Sequence, residues 1–169
     1  MTVKDLETLY DYGYWANKKL FQVISRLTPD QFTQTIGGSF ESVRNTLVHI
    51  LSAEWGWLDR CGGPKRGPRL DPAAYPTLES VMEAWNKVEG WVREFLSSLK
   101  DEDLTRKVEF SIEEGKKNCM PLGELMQHSA NHAVHHRGQV ALMIRTLGHS
   151  PGYIDLVLYY AEIHGAPSP

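Results

Sequence analysis

The chain has 169 residues, 41% of them hydrophobic and 23% charged, with a net charge of −3 and a pI near 6.2. That is enough for one domain with a substantial core, and the composition excludes disordered and fibrous classes. Mild acidity excludes a general pull towards nucleic acid or an anionic membrane surface. The short basic pieces, Lys65-Arg66 with Arg69 and Lys116-Lys117, are too small to change that.

From about Val3 to Leu27, Leu6, Leu9, Tyr10, Trp15, Leu20, Val23, Ile24 and Leu27 recur at helical spacing and predict a first helix. Thr28, Pro29 and Asp30 end it and start a short turn containing Phe32. After a break at Gly37-Gly38-Ser39, Ser39 or Ser42 can cap a second helix that runs to about Cys61, where Gly62, Gly63 and Pro64 stop it. The stretch from Gly62 to Pro76, with four prolines and three glycines, reads as a loop. Thr77 opens a third helix carrying Leu78, Val81, Trp85, Val88, Val92, Phe95, Leu96 and Leu99. Val108 to Phe110 and Asn118 to Met120, flanking Glu113-Glu114-Gly115-Lys116, predict a small β-hairpin. Pro121 suits the first turn of a fourth helix of about 27 residues that Gly148 ends, and Tyr153 to Ile163 makes a shorter fifth. Long helices joined by modest loops predict an all-α fold. The expected architecture is a single four-helix-bundle domain over residues 1–165, with an added C-terminal helix and a disordered tail at 166–169.

Four of the seven histidines fall between His128 and His136 on the fourth helix. Its core face is set by Leu122, Leu125, Met126, Val140, Met143, Ile144 and Leu147. At about 100° per residue, His136 lies roughly 30° and His132 roughly 70° from the middle of that face, whereas His128 and His135 lie roughly 110° and 130° off. His132 and His136 therefore point inward one turn apart, about 5–6 Å between Cβ atoms, close enough to share one ion. Neutral imidazole is the commonest protein ligand for zinc and its neighbours. A metal needs a third firm ligand, and His49, His149, His164, Glu54 and Asp155 are candidates. Phase does not select His49. The apolar residues of its helix centre on another side, and His49 shares a stripe with Ser42, Asn45, Thr46, Ala53 and Gly56 that reads equally as a solvent face or a cavity wall. Asn131, Gln139 and Glu54 are candidate hydrogen-bond partners for ligand imidazoles. His128 is a further ligand or partner-facing candidate, and Arg137 is a candidate for an anionic substrate or an interhelical salt bridge.

The run Asn131, His132, Ala133, Val134, His135, His136, Arg137, Gly138, Gln139 closely resembles the signature of the DinB/YfiT-like metalloenzyme family. So do Asn45 to Trp55 around His49, Gly148 to Leu156, and Leu9 to Asn17 in the first helix. The resemblance spans nearly the whole chain. It implies a bundle of unusual connectivity, often dimeric, with a divalent-metal site on His49, His132 and His136. It also implies an activity of the thiol S-transferase or isomerase type, using a small thiol such as bacillithiol, mycothiol or glutathione, or a hydrolase. The Gly62–Pro76 loop departs from the pattern, and if it borders the cavity, substrate identity does not carry over.

The expected cofactor is zinc, nickel, iron or manganese, with a low-molecular-weight thiol as a possible second. The expected partners are a small-molecule substrate and a second copy of the chain, with neither nucleic acid nor membrane involved. A non-catalytic metal-binding protein, stress-associated or interacting with partners, is the alternative, and a metal-free bundle whose histidines pack or face a dimer partner is a third reading. Cys61 and Cys119 are too few for a disulfide framework and lie in no ligand pattern. The N-terminus lacks a secretory pattern and no apolar run is long enough to span a bilayer, so a cytoplasmic location is expected.

Overall fold

A computed structural model of the chain describes residues 1–113 and 116–166. Six α-helices are present among them: α1 (Val3–Ile24), α2 (Pro29–Thr33), α3 (Val43–Cys61), α4 (Leu78–Ser97), α5 (Leu122–Thr146) and α6 (Leu156–Ile163). A two-stranded antiparallel hairpin, β1 (Lys107–Glu113) and β2 (Lys116–Pro121), precedes α5. The predicted second, third, fourth and fifth helices are α3, α4, α5 and α6. The turn around Phe32 closes into one short helix, because Thr28 and Gln31 form a capping box over Pro29 at the first position.

Local chemistry sets the ends of the elements. Ser42, rather than Ser39, caps α3, its hydroxyl accepting from the Asn45 amide at 3.1 Å. Gly62 ends the same helix in the left-handed conformation (φ 109°), which a side chain would resist. Thr77 and Ser80 form the box that opens α4. At α5 the Leu122 amide, which has no acceptor within its own helix, donates to the Arg106 carbonyl at 2.8 Å and ties the hairpin to the bundle.

The four long helices bury one face each. α3 packs against α4 and α5, and α1 also packs against α4 and α5, so the cyclic order is α1–α4–α3–α5. The consecutive helices α1 and α3 are therefore diagonal, as are α4 and α5. That is the unusual connectivity the resemblance implied. Leu6, Leu20, Leu47, Ile50, Leu51, Leu58, Leu122, Leu125, Met126 and Ile144 fill the centre, essentially without exposure. On the hairpin, Val108 pairs with Met120 and Phe110 with Asn118, and the buried Phe110 ring meets Trp57 of α3 edge-on at 5.4 Å. α6 lies on α1, where Trp15 Nε1 donates to Glu162 at 3.0 Å and the Tyr12 hydroxyl donates to the Ile154 carbonyl at 2.8 Å. Among the described residues, no helix is long and apolar enough to cross a membrane. Of the expected disordered tail, residues 167–169 lie outside the described residues. The Ala166 amide donates to the Ala161 carbonyl at 2.8 Å.

Candidate metal centre

The α3–α5 contact is where the small, polar stripe of α3 is used. Ser42, Thr46 and Gly56 are buried, and His49 and Ala53 line a cavity, so that stripe is an interior face and not a solvent face. His49 projects from its middle, half-buried, towards the two inward imidazoles of α5. His132 Nε2 lies 3.1 Å from His49 Nε2 and 3.1 Å from His136 Nε2, and all three donor atoms fall within 4.8 Å of one another. The two 3.1 Å separations are close to the edge of about 3.3 Å expected for a tetrahedron with metal–nitrogen bonds of about 2.0–2.1 Å. Among the described residues this is the group of His, Cys, Asp or Glu side chains that can hold a metal ion. The donor set fits a divalent transition metal, with room left for a further ligand.

The electrostatics favour the ligand form of the imidazoles. Burial pushes His49 and His132 down to about 4, helped in both by the neighbouring imidazoles and in His49 also by Arg69. His136 is lowered as well, mainly by burial. Rings that stay neutral present a lone pair to a metal. On His136 the tautomer is constrained too, since Nδ1 lies 2.9 Å from Gln139 Oε1, an oxygen that can only accept. The Nδ1–H therefore donates there, leaving Nε2 unprotonated and facing the cluster.

The structure separates the remaining candidates. Gln139 holds His136 as described, and its amide nitrogen also contacts His135 Nε2 at 3.2 Å. His128 is exposed, its ring 6.1 Å from His132 and edge-on to Trp57 at 4.9 Å, so it borders the cavity without joining the cluster. Three expectations need correction. The Asn131 amide donates to the Gln127 carbonyl on its own helix at 3.0 Å and does not support a ligand. Glu54 is buried away from the imidazoles and accepts from the Tyr14 hydroxyl at 2.9 Å. Arg137 is only 2% exposed and points towards α1. There its Nη1 lies 3.4 Å from Asn17 Oδ1 and its guanidinium 5.6 Å from the Tyr12 ring centre, with no salt bridge among the described residues.

Phe40 belongs to the site and was not anticipated. Its ring stacks on His49 at 3.7 Å between centroids, 19° from parallel, and meets His136 edge-on at 5.4 Å. The loop that presents it is bent hard. Glu41 adopts φ 68°, and its carbonyl accepts from the Ile36 and Gly37 amides. A non-glycine residue in that conformation costs about 1–2 kcal/mol, so surrounding contacts must hold it. An aromatic directly after a Gly-Gly-Ser break was the sole sequence sign, and helical periodicity does not register loop residues.

A cavity of about 360 Å³ opens beside His49 and His132. Trp57, Arg60, Arg66, Arg69, Ser52 and Ser111 also line it, so the Gly62–Pro76 loop does border the site. Neither cysteine takes part. Cys61 is fully buried with its thiol pushed up to about 11 by that burial, and Cys119 is exposed on β2.

The fold agrees with comparisons to known proteins. The chain is 24% identical over 156 residues to Protein DinB of Bacillus subtilis (strain 168), covering 89% of this chain and 91% of that one. It is 25% identical over 142 residues to the uncharacterized protein YizA of the same organism, covering 84% and 87%. Among solved structures, a DinB-like protein from Bacillus cereus ATCC 10987 superposes with a TM-score of 0.74 at 24% identity, over 90% of this chain and 97% of that one. A conserved protein from Enterococcus faecalis superposes with a TM-score of 0.60 at 13% identity, over 86% and 96%. The DinB family model matches residues 1–165, and the chain belongs to that family.

Proposed function

We propose that the chain is a divalent-metal-dependent enzyme of the thiol S-transferase, isomerase or hydrolase type, with His49, His132 and His136 as the ligands. The observation that carries this reading is the convergence of three neutral Nε2 atoms from two helices beside a small-molecule-sized cavity. When bound, a zinc, nickel, iron or manganese ion supplies Lewis acidity and lowers the pKa of an adjacent water or thiol. Gln139 would orient His136, Phe40 would fix the His49 ring and cover it from solvent, and Trp57 with His128 would flank the substrate. With Cys61 buried and protonated, the attacking group would come from outside the chain, as a low-molecular-weight thiol or water. A cytoplasmic location suits such a thiol. A homodimer is part of the proposal, supported by α6, which buries none of its residues and exposes Val157 and Ile163.

Protein purified without a histidine tag should carry stoichiometric metal by elemental analysis. His132→Ala and His136→Ala should abolish it, and His135→Ala should not. Full retention in His136→Ala would reject the site. Loaded protein would then be screened against electrophiles with a panel of small thiols. Turnover that needs both metal and thiol is expected, and silence with every metal would favour a non-catalytic metal-binding role.

A further inference from the structure

The cavity beside the histidines is lined with arginine to a degree that composition does not explain. The chain carries a net negative charge, yet Arg60 at the end of α3 and Arg66 and Arg69 in the following loop all reach this one cavity. None of the ten described lining residues is acidic. None of the three guanidinium groups forms an ion pair among the described residues. Arg60 Nη1 donates to the Gly56 carbonyl at 2.8 Å and Arg66 Nη1 to the Ser52 hydroxyl at 2.7 Å, both uncharged acceptors. The Arg69 side chain makes no hydrogen bond or ion pair among the described residues. The nearby acid, Asp59, is occupied by Lys65 Nζ at 2.8 Å and by the Arg66 backbone amide at 3.1 Å.

Two of the three cations are also forced together. A Cβ at Gly56 would stand 3.0 Å from Arg66 Nε and 3.2 Å from Arg60 Nη1, so both groups share the space that the glycine leaves open. Arg66 Nε is buried and has no partner. Arg66 is half-buried while Arg60 and Arg69 are exposed, and a cleft lined by one sign of charge concentrates ions of the other. Arg60 is seated 5.0 Å from the centre of the Trp57 ring, which gives the cavity an aromatic wall for a ligand's carbon skeleton.

We propose that this cavity binds a small molecule carrying an oxyanion group, a carboxylate or a phosphate, held by Arg60, Arg66 and Arg69 with its reacting end at His49 and His132. Guanidinium is the side chain best matched to such oxygens, through paired N–H donors. The assignment of this molecule as a substrate rests on the metal-dependent reading above, but the anion site itself does not.

The test is calorimetric titration of inorganic phosphate and, separately, malonate into chelator-treated and zinc-loaded protein. At least one anion should bind saturably to the metal-free wild type, and binding should weaken as sodium chloride is raised. Arg66→Gln and Arg69→Gln should each weaken it about tenfold, with metal content unchanged. Arg69 makes no side-chain bond, so its variant folds normally even if loss of the Arg66–Ser52 bond loosens the loop. The tighter of the two anions identifies the oxyanion recognised. Absence of saturable binding of either anion, or wild-type affinity in Arg69→Gln and Arg66→Gln alike, would overturn the proposal. If wild-type protein bound no metal but Arg69→Gln still lost phosphate or malonate, the metal reading would fail and the anion site would stand.

Discussion

Two imidazoles of the cluster are held by different neighbours, and those neighbours decide how well each would serve as a ligand. His136 is held through Nδ1 by Gln139, and His49 is held by its stacked contact with Phe40. Gln139→Ala should therefore weaken metal affinity about tenfold or more without unfolding the protein, because the ring loses its preferred tautomer and orientation. Competition with a chromophoric chelator measures this, and unchanged affinity would show that the Gln139 contact is incidental. Helical phase alone separated His132 and His136 from His128 and His135, because α5 is long and apolar residues near both ends fix its inward face. His49 was not legible in the same way. Its side of α3 is small and polar, since it faces a cavity, and periodicity cannot tell a polar wall from a wet surface. Arg137 misled for a related reason, as a charged residue beside an inward histidine reads as a rim group until its burial against α1 is seen.

Between elements, the diagonal pair α1 and α3 is joined through the core by a hydrogen bond from Tyr14 to Glu54. Burial pushes Glu54 up to about 7, and the Tyr14 hydroxyl and Arg137 pull it back only in part. Its folded-state value thus lies above its unfolded one. The stability it contributes is fully present below about pH 4.5 and is lost as pH rises through about 7, a swing of about 3 kcal/mol. Urea unfolding across that range should show wild-type stability falling relative to Glu54→Gln, which keeps the acceptor for Tyr14 but cannot ionise. Parallel profiles would place the charge effect elsewhere. The α5 seam should be sensitive as well. Leu125→Ala, at 1% exposure, is expected to cost about 2–5 kcal/mol by denaturant unfolding, through lost burial and the void left behind. Helix limits were legible because their chemistry is local, as at Ser42, Gly62 and Thr77. The hairpin was legible from two short runs flanking a turn, although residues 114–115 lie outside the described chain.

Over the whole molecule, the bundle class follows from helix length and loop length, but the cyclic order α1–α4–α3–α5 does not. Which helices lie diagonal depends on nonlocal packing, and the family resemblance implied only that the connectivity is unusual. The same holds for the arginines. Arg60, Arg66 and Arg69 are unremarkable along the chain and become a cluster only when the loop folds back over α3. If the site binds a metal only in the folded state, loading it must stabilise the fold, by about 2.7 kcal/mol at a free metal concentration of about one hundred times Kd. Thermal unfolding should show a rise in Tm that His136→Ala abolishes. The proposed chemistry requires that imidazoles from α3 and α5 form a single divalent-metal centre. Anomalous diffraction from a metal-soaked crystal tests it most directly. A strong peak is expected about 2.0–2.2 Å from Nε2 of His49, His132 and His136 together. A peak bound instead to His128 or His135, or none at the cluster, would contradict it.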